Sequence, residues 1–177
     1  MPKFILIESP GDVCSAAVSN GREIIAEKSI QEKNSHSTYL ASYVDEVLKK
    51  SGYKINELDA VVIGGGPGSY TGLRIGCSLA KGLCFGADLP LIACSTLYAQ
   101  AAEALRKYPE ADRLITLIDA RRMDAYLGVF DKELNALVDE QFITIDEQLS
   151  VDYVQGKTIA CGSGSAKWMC EILLKNV

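Results

Sequence analysis

Histidine is almost missing from this chain: among 177 residues only His36 carries an imidazole. A metal centre built on histidines needs more than one, and so does a His-Glu-x-x-His peptidase, so neither is expected. A Ser-His-Asp triad would have to use His36, and no Gly-x-Ser-x-Gly elbow is present to offer a nucleophile. Clustered cations are lacking too. The net charge is −5, and cations come no denser than adjacent pairs such as Lys49-Lys50 and Arg121-Arg122. Affinity for a phosphate backbone comes from grouped Lys and Arg, so direct nucleic-acid binding is not expected of this chain alone. The six cysteines are scattered through apolar segments with no Cys-x-x-Cys pair, which argues against zinc and thioredoxin-like chemistry. They read as small buried thiols in a reducing compartment. Long apolar runs are absent as well: Phe4 to Ile7 is too short for a signal peptide, and no stretch reaches membrane-span length. A soluble, cytoplasmic protein is expected.

What the chain does have is punctuation. Ala60-Val61-Val62-Ile63 is a buried-strand pattern that enters Gly64-Gly65-Gly66-Pro67-Gly68-Ser69-Tyr70-Thr71-Gly72, and a helical segment follows from Leu73 to Phe85. A strand, a glycine turn and a helix N-terminus together make a natural seat for an anion or a partner carboxylate. The nucleotide motifs do not fit, however. Leu73-Arg74 stand where a Walker loop needs Lys and then Ser or Thr, and Thr71 stands where the dinucleotide fingerprint needs its third glycine. The turn is expected to be structural, with Pro67 for rigidity and Ser69 or Thr71 as helix cap; an anion contact is the alternative.

Ahead of it, Lys3 to Glu8, Val13 to Ser19 and Arg22 to Lys28 read as three strands, the last two joined by the hairpin signal Asn20-Gly21. A helix capped by Ser35 or Ser37 runs to about Lys50, with Leu40, Val44, Val47 and Leu48 on its core stripe and Tyr39, Tyr43 and Glu46 on another. A short strand at Pro90 to Cys94 and a helix from Ser95 to about Lys107 follow. Tyr108-Pro109-Glu110-Ala111-Asp112 is the expected boundary, dividing the chain into residues 1–107 and 108–177. Strands at Leu114 to Ile118, Ala125 to Phe130, Phe142 to Ile145 and Ile159 to Cys161, with a last helix from Ala166 to Lys175, complete the order. It predicts two α/β lobes.

On the second helix the polar residues Arg74, Ser78 and Lys81 form one narrow stripe, with Leu73, Cys77 and other apolar or glycine positions around it. A helix facing water on one side should show a broad polar face. Either this helix is sandwiched inside its own domain or its outer side is covered by another subunit. Tyr39 and Tyr43 favour the second, since aromatic stripes anchor interfaces. Gly72, Gly76 and Ala80 form a small-residue column that lets another backbone come close.

Gly66 to Gly76 with Ala80-Lys81-Gly82-Leu83 resembles the signature of the TsaB (YeaZ) family. Phe4 to Ser9 resembles its opening strand, His36-Ser37 with Leu40 its first helix, and Ile118-Asp119-Ala120-Arg121-Arg122 its second-domain motif. The resemblance implies an actin-like ATPase fold (ASKHA, ribonuclease H-like) in two lobes. Members of the family continue well beyond the end of this sequence, so the second lobe is expected to be incomplete. It also implies a non-catalytic scaffold in tRNA threonylcarbamoyladenosine synthesis, one that binds TsaD and, with it, TsaE. Such a subunit self-pairs as a homodimer when alone, meets tRNA only indirectly, and holds no metal and no tightly bound cofactor. ATP or ADP would enter only in the assembled complex. His36, Tyr39, Tyr43, Leu73, Arg74, Cys77, Ser78 and Lys81 become the expected interface. Glu8, where actin-like kinases carry a metal-organising Asp, joins Asp119, Arg121 and Arg122 as cleft candidates; a charged hairpin turn explains the last three equally well. The alternatives are an active nucleotide-dependent phosphotransferase using the turns at 64–72 and 162–165, and, less favoured, a peptidase.

Overall fold

A computed structural model describes residues 1–31, 36–145 and 153–173, without the side chains of 36 and 171–173. The chain divides into two compact units, Met1–Ser95 and Thr96–Val177.

The first unit carries β1 (Lys3–Glu8), β2 (Cys14–Asn20), β3 (Glu23–Ile30), α1 (His36–Ser51), β4 (Ala60–Gly64), α2 (Tyr70–Ala87) and β5 (Leu91–Cys94). Its sheet has the order β3-β2-β1-β4-β5. β1 to β3 form an antiparallel meander, while β4 and β5 continue parallel to β1. Parallel neighbours need crossovers, and α1 and α2 supply them. Their apolar stripes bury Ile5, Ile7, Ala16, Val18, Val61 and Ile63 beneath Leu40, Val44, Val47 and Ala80. Each buried Val, Leu or Ile among them is worth about 1.5–3 kcal/mol. Tyr43 belongs to this core as well, only 6% exposed. It follows Leu40 by three positions and precedes Val47 by four, so it lies on the core stripe rather than on a second one. This corrects its assignment to an outward aromatic stripe.

The second unit carries α3 (Thr96–Lys107), β6 (Arg113–Asp119), β7 (Asp124–Asp131), β8 (Ala136–Thr144), β9 (Thr158–Cys161) and α4 (Ser165–Leu173). Its sheet has the order β8-β7-β6-β9. Leu97, Ala101 and Ala104 of α3 pack with Leu114, Ile118 and Phe130, while Trp168 of α4 packs with Ile115, Leu117, Leu127 and Val129. Because its apolar side is spent on β6, α3 groups with the second unit. The division therefore falls at 95/96 rather than at the Tyr108-Pro109 punctuation.

This is a mixed α/β fold of the actin-like type. Ser35, an expected cap, lies outside the described residues, and Ser37 falls inside α1 rather than at its cap. The last helix is described only to Leu173, so the expected end at Lys175 also lies outside them.

Candidate functional site

The glycine turn and α2 are tied to the first turn of the chain. Ser69 caps α2, its Oγ accepting from the Gly72 N–H at 3.3 Å, and the helix starts at Tyr70, three residues before the predicted Leu73. The Ser69 N–H donates to the Pro10 carbonyl at 2.7 Å and the Gly65 N–H to the Cys94 carbonyl at 2.8 Å. The Leu73 N–H donates to the Ser69 carbonyl at 2.8 Å. These donors are satisfied by the chain itself. The small-residue column does admit a backbone at close range, and that backbone is the chain's own. A Cβ on Gly72 would overlap the Ser9 carbonyl oxygen, and one on Gly76 would overlap Ser9 Oγ. Ser9 is 2% exposed there, and Pro10 is buried beside it.

Glu8 ends β1 with its carboxylate against the bare Cα of Gly64, where a Cβ would have no room. Burial pushes its carboxyl up to about 7, so near neutrality a good part of it is protonated. Among the described residues no three His, Cys, Asp or Glu side chains gather to hold a metal ion.

With the inner column spent on Ser9, the outer side of α2 is open. Tyr70, Thr71, Arg74, Ser78, Lys81 and Phe85 are exposed, Phe85 at 94% and Tyr70 at 73%. The Arg74 guanidinium lies over the Tyr70 ring, 5.5 Å from its centroid. The face thus carries an exposed aromatic residue near each end, with Arg74, Ser78 and Lys81 between them.

The remaining sequence candidates scatter around this face. Leu73 and Cys77 are half-buried, Leu73 lying over Gly66 and Cys77 against the unit's core. Tyr39 is 39% exposed and stacks on Tyr43, ring centroids 5.9 Å apart. His36 opens α1, but its side chain lies outside the described residues. Gly66, Pro67 and Gly68 shape the turn ahead of the Ser69 cap, and Thr71 lies in the first turn of α2. Asp119, Arg121 and Arg122 lie in the other unit, where the Asp119 carboxylate pairs with Lys167 at 3.0 Å and not with either arginine. Phe85 and Lys167 were missed. Phe85 could have been found by running the Tyr70-Arg74-Ser78-Lys81 stripe one more turn; Lys167 lies 48 residues from its partner, and no local pattern points to it.

Comparison with known proteins fits this frame. Residues 23–171 match the family model described as "TsaD: tRNA N6-adenosine threonylcarbamoyltransferase". The tRNA threonylcarbamoyladenosine biosynthesis protein TsaB of Escherichia coli is 30% identical over 171 residues, covering 94% of this chain and 73% of that one. The protein of the same name from Haemophilus influenzae is 34% identical over 130 residues, covering 73% of this chain. The match spans only about half of that relative's length, 54%. Among solved structures, YeaZ from Pseudomonas aeruginosa superposes with a TM-score of 0.74 at 26% identity, covering 82% of this chain and 68% of that one. A protein described as similar to peptidase YEAZ from the same organism gives 0.83 at 25% identity, covering 93% and 77%. By motif, sequence and fold, the chain belongs to the TsaB (YeaZ) family.

Proposed function

We propose that this chain is a non-catalytic subunit of the machinery that makes threonylcarbamoyladenosine in tRNA. In this role it binds TsaD through the outer face of α2 and, together with TsaD, gives TsaE a place to dock. The observation that carries the reading is the division of labour on α2. Gly72 and Gly76 are filled by the chain's own Ser9, while Tyr70, Arg74, Lys81 and Phe85 stand exposed on the other side. A subunit that binds only the competent conformer of an enzyme raises activity without contributing a reacting group. The same face pairs two copies when TsaD is absent. Catalysis and any metal belong to TsaD, ATP or ADP enters only with the assembled complex, and tRNA is met indirectly. The work takes place in the cytoplasm; no helix of the described residues is long and apolar enough to cross a membrane.

The phosphotransferase alternative meets an unsuited site. The N–H groups of Gly65, Ser69 and Gly72 are spent on Cys94, Pro10 and Ser69, and Leu73-Arg74 stand where a Walker loop needs Lys and then Ser or Thr.

Size-exclusion chromatography with light scattering, on the chain alone and mixed with TsaD, tests the proposal. The comparison is with a Tyr70→Asp, Phe85→Asp variant whose core is untouched. The expected result is a homodimer that gives way to a heteromer, with both lost in the folded variant. A wild type that stays monomeric and ignores TsaD would overturn it.

A further inference from the structure

The arginine pair of the second unit is held in an uncommon shape by residues far away in sequence. Arg121 and Arg122 both have positive φ, 76° and 48°, a conformation that side-chain-bearing residues seldom adopt and keep only where their surroundings over-determine it. Those surroundings are visible. Lys167, in the first turn of α4, donates from Nζ to Asp119 Oδ1 at 3.0 Å, to the Arg122 carbonyl at 3.0 Å and to the Asp124 carbonyl at 2.5 Å. The Asp119 carboxylate also accepts from the Arg121 N–H at 2.5 Å, and Ser163 Oγ accepts from the Asp119 N–H at 3.0 Å. Thr144 Oγ1 donates to Asp124 at 2.7 Å, and the Ile145 N–H to the Met123 carbonyl at 2.7 Å. Lys167 is largely buried for a lysine, with 18% of its side chain exposed. These bonds converge on backbone atoms and on two carboxylates of the hairpin tip. Among the described residues, none of the hydrogen bonds or ion pairs engages either guanidinium, and Arg121, Arg122 and Met123 are all exposed.

A tip whose backbone is pinned from several sides presents two free guanidinium forks from a fixed base, and such forks take an anion in bidentate geometry. The class of anion follows from composition. Arg and Met are enriched at protein–protein contacts, whereas an RNA backbone calls for many spread cations, which a chain of net charge −5 does not offer here. We propose that the Arg121-Arg122-Met123 tip is a second docking point, separate from α2, which receives a carboxylate-bearing segment of the protein partner. Lys167 is its positioning residue. The proposal rests on the scaffold reading above, with TsaD as the partner.

Calorimetric titration of TsaD into the full chain, at low and high salt, tests it with four variants. Arg121→Glu, Arg122→Glu should weaken binding by about tenfold or more and flatten the salt dependence, because reversed rim charges repel the carboxylates. Lys167→Met should weaken it several-fold with both arginines intact, and Lys167→Arg should restore part of the loss. Tyr70→Asp, Phe85→Asp is the reference for the α2 face. If that reference variant loses binding while the double arginine variant matches the wild type, the tip proposal falls and the scaffold reading stands. If the wild type itself does not bind TsaD, both fall. If charge reversal spares TsaD affinity but releases labelled tRNA from the assembled complex, the tip serves RNA and the proposal is overturned. Should Lys167→Met fail to fold, the arginine variant, which breaks none of the pinning bonds, decides alone.

Discussion

The strands β1 and β6 look alike on paper and live differently. Each is an apolar run at the start of a sheet, Phe4-Ile5-Leu6-Ile7 in one unit and Leu114-Ile115-Thr116-Leu117-Ile118 in the other. In β1 burial alternates: Ile5 and Ile7 are buried beneath the helices, while Phe4 and Leu6 are half-buried. In β6 every residue from Leu114 to Ile118 is buried, because α3 covers one face of the sheet and α4 the other. A continuous apolar run therefore states that a strand can be covered on both sides, not that its own unit covers it. The second unit closes both faces of its sheet from within; the first closes one.

The largest expected effect separates the two strands directly. Leu117→Ala empties a fully enclosed site and should cost about 2–5 kcal/mol in urea unfolding. Leu6→Ala, on the half-buried face, should cost about half as much or less, since less apolar surface leaves water there. Equal costs would mean that the second face of β1 is as well packed as the first.

Next comes the contact between α2 and the first turn. Gly72→Ala and Gly76→Ala should each destabilise by roughly 1–3 kcal/mol through overpacking. They should respond differently to a second change. Ser9→Gly removes the hydroxyl that obstructs a Cβ at 76 but leaves the carbonyl that obstructs one at 72. A double-mutant cycle should therefore show rescue of Gly76→Ala and none of Gly72→Ala.

The last effect is spread along the pH axis and belongs to Glu8. Its folded pKa, about 7, lies above the ordinary value of 4.5, so the folded state binds more protons between those limits. Stability therefore falls as pH rises from about 4.5 to 7 and levels off above, by something on the order of 3 kcal/mol. Glu8→Gln cannot ionise. It should flatten that slope and make the protein more stable than wild type at pH 8, with little difference at pH 4, as followed by thermal melts across the range. A variant that keeps the wild-type slope would assign the pH dependence to other groups.

Much of the architecture was legible because it is written in local chemistry. Asn20-Gly21, the glycine turn and the two helical stripes placed β1 to β5, α1 and α2 within a few residues. β8 was read as starting at Phe142, yet it begins at Ala136. Its first six residues are three apolar positions, Ala136 to Val138, followed by three polar ones, Asp139 to Gln141, and are mostly exposed, so they lack the alternation that marks a half-buried strand. The misplacement of Tyr43 came from assigning it to the stripe of Tyr39, although its spacing from Leu40 and Val47 put it on the core side. The tip at 119–124 was recognised as a motif, but its organisation was not, because Lys167 and Ser163 reach it across more than forty residues of chain.

The packing of Ser9 into α2 also constrains the order in which this sequence could change. A larger residue at 76 becomes acceptable only after position 9 has lost its side chain, while none becomes acceptable at 72 as long as the backbone of the first turn stays in place. The sequences reachable from this one are thus joined by a narrow corridor at these positions. A substitution there that looks harmful in one background is neutral in another, and the history of the first turn decides which residues the helix may try next.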